Sequence, residues 1–77
     1  MKVYLDKEKI QDKMYEKDIK SLKKLCNLAG ASYGLLFQNF RLKCANPELS
    51  WLLADCLECD IMDIWSIDWE KDARRKI

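Results

Sequence analysis

The chain has no histidine among its 77 residues, only two glycines and a single proline. Without histidine, both the commonest general base and a frequent zinc ligand are missing. No serine or cysteine has an evident base beside it. With glycine only at positions 30 and 34, there is no loop of the kind that cradles phosphates. The acids at 55–63 fall on the outer faces and caps of expected helices, where acids are ordinarily found. Catalysis is not expected. There is also no apolar run near the ~18 residues that a membrane helix needs, and the opening MKVYLDKEK lacks the apolar core of a secretory signal. The expectation is a cytoplasmic address, with no membrane, no cofactor and no small-molecule ligand.

What is present describes a folded chain. Hydrophobic residues make up 49% and charged residues 35%, too rich in core formers for a disordered segment. A chain of this size buries about 60% of its unfolded surface, so it builds one modest core. A single domain is expected over residues 1–70, with residues 71–77 as a basic tail.

The net charge of +1 conceals an asymmetry. Residues 1–47 hold ten Lys and Arg against five acids, residues 48–70 hold seven acids and no base, and residues 71–77 are basic again. Such a distribution suits one face towards an anion and another towards water. A mixed solvated surface would give the same counts.

Four cysteines stand at 26, 44, 56 and 59. Cys56 and Cys59 have a ligand-like spacing, and four thiolates could close a tetrahedral zinc site. Against zinc, Cys26 and Cys56 fall on apolar helical stripes, and Cys26 and Cys44 make no second close pair. Reduced thiols acting as small hydrophobes are expected, with no metal.

The chain divides into short elements. KVYLD alternates like a strand, with Val3 and Leu5 on one side. Asp6 is placed to cap a helix over residues 7–17 that turns Ile10 and Met14 inward. Ser21 caps a second helix with Leu22, Leu25, Cys26 and Ala29 on one face. Gly30 then permits a left-handed turn, and Ser32 caps a third helix running to about Leu42, with Leu36 and Phe40 on its inner side. Asn46 and Pro47 form a cap and a first-turn proline. Leu49, Leu52, Leu53, Cys56 and Leu57 follow as an amphipathic stripe. Asp60 caps a last short helix with Ile61, Ile64 and Trp65 inward. WSIDW alternates again, with Trp65, Ile67 and Trp69 on one side. An all-α, compact five-helix bundle is expected, with a short two-stranded sheet formed by the two ends.

The stretch LCNLAGASYGLLFQNFRLK, residues 25–43, carries the functional signal. It contains no acid, and it places two helices around a tight turn, as in a helix-turn-helix whose second helix enters the major groove. That unit needs a small residue where the helices touch, a glycine at the turn and an apolar contact from the second helix. Cys26, Gly30 and Leu36 stand in those places. An ordinary helical hairpin would also accommodate them.

One helix, this unit, an Asn-Pro loop and then LLADCLECDIMDIW follow in an order that resembles the lambda-repressor-like, Cro-type (XRE-type) helix-turn-helix DNA-binding family. The resemblance covers about residues 6–65. It implies a sequence-specific transcriptional regulator, a repressor or autoregulator of phage or mobile-element type, that binds operator DNA as a homodimer. Carried over by position, Ser32, Tyr33, Gly34, Phe37, Gln38 and Arg41 face bases, while Lys23 and Lys43 contact phosphate. Gln38 can pair with adenine, Arg41 with guanine or phosphate, and Phe37 can pack on a thymine methyl. Helix N-terminal amides at 21–23 and 32–34 would add their own attraction for phosphate.

Three features depart from the family. Asn39 occupies a place that is usually apolar, Gly34 lies inside the recognition helix, and RLKCAN replaces the usual asparagine-glycine. The alternative is a protein-interaction module that keeps the same fold and binds a partner through Tyr33, Phe37 and Phe40. Pairing of the two ends is expected to support dimerisation; a monomer with a frayed basic tail is the competing arrangement.

Overall fold

Asp6, Ser21, Ser32 and Asn46 each stand just before an α-helix and offer a side-chain oxygen to the amides of its first turn. The computed structural model describes residues 2–68. In chain order these form β1 (Lys2–Leu5), α1 (Lys7–Glu16), α2 (Leu22–Ala29), α3 (Tyr33–Leu42), α4 (Pro47–Leu57), one 3-10 turn (Ile61–Asp63) and β2 (Trp65–Asp68). All four caps fall where the sequence places them. So does the left-handed stop after α2, where Gly30 has φ +71°. The stops after α3 and α4 use Lys43 at φ +53° and Glu58 at φ +56°, residues that carry no sequence signal for this conformation.

The core gathers Leu5, Ile10, Met14, Leu25, Cys26, Leu36, Leu49, Leu53, Ala54, Leu57 and Ile64. Each leucine or isoleucine buried there contributes about 1.5–3 kcal/mol. Helix α2 lies at the centre, packed against both α3 and α4.

The structure corrects the expected five helices to four. After Asp60 the chain makes one 3-10 turn, in which the Asp63 carboxylate accepts from the Asp60 N–H at 3.1 Å. Ile64 is buried, and Trp65 then leaves in extended form because its strand pairs with β1. The Trp65 indole N–H donates to Ser50 Oγ at 2.9 Å, which ties β2 to α4. Strand pairing therefore ends the helical path before a second turn can form.

The apolar stripe of α4 is rotated from the expected one. Leu49, Ser50, Leu53, Ala54 and Leu57 are buried, whereas Leu52 and Cys56 are half-buried. Ser50 can face inward because its hydroxyl donates to the Asn46 carbonyl at 2.7 Å and accepts from Trp65.

β1 and β2 pair antiparallel, with Leu5 opposite Trp65 and Val3 opposite Ile67. The two ends of the described chain therefore meet as expected. Leu5 joins the core and Trp65 packs on it, but Val3 and Ile67 are only half-buried and stand outside it. The Leu5 N–H points away from β2 and donates to the Cys44 carbonyl at 3.1 Å. By the alternation of an antiparallel ladder, β1 is flanked by β2 on one side and by the chain leaving α3 on the other. The outward edge of the sheet belongs to β2, where Lys9 Nζ donates to the Trp65 carbonyl at 2.8 Å. Trp69 and the basic segment 71–77 lie outside the described residues.

Candidate nucleic-acid interface

Helices α2 and α3 are joined by the three residues Gly30, Ala31 and Ser32. Ser21 Oγ accepts from the Lys24 N–H at 3.1 Å, and Ser32 Oγ accepts from the Leu35 N–H at 3.2 Å. The amides of Leu22 and Lys23, and of Tyr33 and Gly34, precede those capped positions and have no intrahelical acceptor, so they remain available to an anion. At the turn, the Ala31 N–H donates to the Cys26 carbonyl at 2.8 Å. A Cβ added at Gly30 would meet nothing within 4 Å, so glycine is needed there for its backbone conformation alone.

The inner side of α3 is formed by Leu36 and Asn39, with Leu35 and Phe40 half-buried against the core. Its outer side gathers Tyr33, Gly34, Phe37, Gln38 and Arg41, all exposed. Gly34, Phe37, Gln38 and Arg41 line one shallow depression. Phe37 is 53% exposed, and its ring centroid lies 5.4 Å from that of Tyr33, tilted by 34°. Five of the expected site residues are thus brought to one face.

The other three are placed differently. The Ser32 hydroxyl oxygen serves as the cap of α3. Lys23 is exposed in the first turn of α2. Lys43 ends α3 and holds Nζ 5.6 Å from the Tyr4 ring centroid, on the side where α3 meets β1. Phe40 is not part of an open aromatic surface with Tyr33 and Phe37, because it turns towards the core.

Charge follows the same division. Between Asp18 and Glu48 the sequence has no carboxylate, while Lys20, Lys23, Lys24, Arg41 and Lys43 are all exposed. Lys20 pairs with Asp18 at 3.1 Å at the margin of this surface.

Asn39 supports the interface from beneath, a role that sequence reasoning missed. It is only 3% exposed. Its amide donates to the Leu35 carbonyl at 2.8 Å and its oxygen accepts from the Asn46 N–H at 2.7 Å. Asn46 in turn caps α4 through the Leu49 N–H at 3.0 Å. A polar amide at an inward helical position was the available signal.

Among the described residues, no group of three or more His, Cys, Asp or Glu is placed to hold a metal ion. Burial pushes the Cys26, Cys56 and Cys59 thiols upward; nearby Asp55 and Glu58 add to this at Cys56, and Asp63 and Asp60 do so at Cys59. These cysteines therefore stay protonated near neutrality. Among the described residues, no helix is long and apolar enough to cross a membrane. No family model matches the chain, and comparison with curated proteins and with solved structures finds no match.

Proposed function

We propose that the protein is a sequence-specific DNA-binding transcriptional regulator of the lambda-repressor-like type, without catalytic activity, in which α2 and α3 form the helix-turn-helix and α3 reads the major groove. The main support is the exposed outer side of α3, with Gln38 and Arg41 beside Phe37, set in a sequence stretch from Ile19 to Pro47 that carries five Lys and Arg and no acid. Both polar side chains are long enough to reach base edges, and the two open helix N-termini favour phosphate. Lys23 and Lys43 would contact the backbone on either side.

Two-fold pairing of β2 with its copy would complete the regulator as a homodimer. Among the described residues, the outward edge of β2 offers a place where a second strand can extend the sheet, and half-sites one helical turn apart call for two protomers. A cytoplasmic location accords with this function.

Selection of bound sequences from a random duplex pool tests the assignment. A consensus with two related half-sites about 10 base pairs apart supports it. No enrichment over the starting pool removes it and leaves the exposed Tyr33–Phe37 pair as a protein-docking surface.

A further inference from the structure

The acidic second half of the chain carries a surface that DNA binding does not use. Along α4, Glu48, Trp51 and Asp55 fall on one helical face, Glu58 follows as the residue that ends the helix, and all four are exposed. Trp51 is 66% exposed. Beside it a groove opens between α4 and the 3-10 turn, lined by Trp51, Ala54, Asp55, Cys59, Asp60 and Ile61. The indole, the thiol and the isoleucine chain supply apolar contact, and Asp55 and Asp60 add two carboxylates. Lys17 reaches Glu58, but among the described residues no cation pairs with Asp55 or Asp60. No Lys or Arg occurs between Pro47 and Glu70.

We propose that this groove docks an arginine-bearing basic segment of a partner protein. A guanidinium is flat enough to lie over the Trp51 indole while its edge bonds to the Asp55 and Asp60 carboxylates. An aliphatic neighbour in the same segment would cover Ile61. Charge complementarity selects a basic occupant over an acidic one. The same face of a second copy would bring carboxylates against carboxylates, and a nucleic acid would be repelled. Contact with the basic half of a second copy is the competing arrangement, and it would appear as self-association that Trp51→Ala abolishes. The inference is independent of whether α3 binds DNA.

The test is titration of the full chain, in the absence of DNA, with a fluorescent peptide of alternating arginine and leucine and with its glutamate–leucine counterpart. Saturable binding of the arginine peptide alone is expected, weakened about tenfold or more by Trp51→Ala and by the pair Asp55→Asn and Asp60→Asn. The pair Glu8→Gln and Asp12→Asn makes the same charge change on α1 and should leave binding intact. Circular dichroism of each variant separates lost binding from lost folding, and Asp55→Asn alone provides a milder variant on an exposed helix face. Equal weakening by the α1 pair would reduce the effect to net charge and overturn the groove. Absence of binding by the wild-type chain would also overturn it. So would sedimentation showing self-association that Trp51→Ala abolishes, since the occupant would then be a second copy.

Discussion

Ser66 Oγ donates to Asp6 Oδ2 at 2.6 Å, joining residues 60 positions apart in the chain. The other oxygen of the same carboxylate accepts from the Glu8 and Lys9 amides at 3.0 and 3.4 Å. One side chain therefore caps α1 and fastens β2 beside it. Burial acts to raise the Asp6 pKa, but the Ser66 hydrogen bond, the Lys9 and Glu8 amides and the Lys9 charge outweigh it and hold the carboxyl below its ordinary value.

A group whose pKa is depressed by folding stabilises the fold above its unfolded pKa and loses that contribution as pH falls through the folded value. Asp6→Ala should cost about 1–2 kcal/mol in urea unfolding at neutral pH. The gap between variant and wild type should narrow as acid protonates Asp6. A gap that stays constant down to the acid limit would mean that the charged form contributes nothing.

Asn39 makes a second prediction. Replacing it with leucine puts an apolar residue at a buried helical position, yet it should destabilise by about 1–3 kcal/mol. The Asn46 N–H would lose its acceptor and the start of α4 its anchor. A Leu variant as stable as wild type in urea would show the amide network to be dispensable.

The two glycines should respond in opposite ways. Gly30→Ala places a Cβ on a left-handed residue and should cost about 1 kcal/mol. Gly34→Ala adds a methyl that meets only Ser32 Oγ at 3.9 Å, an ordinary contact, so α3 should gain up to about 1 kcal/mol. DNA affinity should nevertheless fall, because that methyl projects into the depression beside Phe37, Gln38 and Arg41. Thermal unfolding and a binding titration on the same protein separate the two effects. A Gly34 variant that is stabilised and binds DNA unchanged would place the duplex elsewhere.

For the dimer, sedimentation of the full chain should give a two-protomer species at tens of micromolar, and a chain ending after Ser66 should be monomeric, since the cut removes Ile67 and Asp68 from β2. A monomeric full chain, or a truncation that dimerises equally well, would eliminate strand pairing between copies.

The helices were legible in the sequence because their starts carry local chemistry. Asp6, Ser21, Ser32 and Asn46–Pro47 act within a turn of where they stand, so neighbouring residues suffice to find them. Elsewhere distant partners decide. Asp60 resembles any other helix cap, but β1, whose Leu5 lies opposite Trp65 from far earlier in the chain, draws Trp65 into a strand. Ser50 is absent from the expected α4 stripe, and its burial depends on the Trp65 indole; Asn39 departs from the resembling family, and its inward place depends on the Asn46 amide. At the site, Tyr33, Gly34, Phe37, Gln38 and Arg41 were singled out by the resemblance to the lambda-repressor-like family, and α3 brings all five to one exposed face. The spacing already put Phe40 with Leu36 on the inner side of α3, as found; it could not show that Lys43 lies over Tyr4, which depends on packing across elements.

Lys23 and Lys43 should act differently from Gln38 and Arg41. Replacing the two lysines with alanine should weaken binding to all duplexes alike and flatten the salt dependence. Alanine at Gln38 or Arg41 should cost about 1–3 kcal/mol at one or two base pairs of the selected operator and leave random-sequence binding nearly intact. Retention of the full sequence preference in both would remove α3 as the reader.

The most direct measurement is the affinity of the full chain for a random-sequence duplex between about 50 and 200 mM salt, where counterion release makes a DNA-binding protein lose affinity steeply. A linear fall of log affinity with log salt, shallower when Lys23 and Lys43 are both alanine, is the predicted result. No measurable binding at the lowest salt, or an affinity indifferent to salt, would contradict a DNA-binding function.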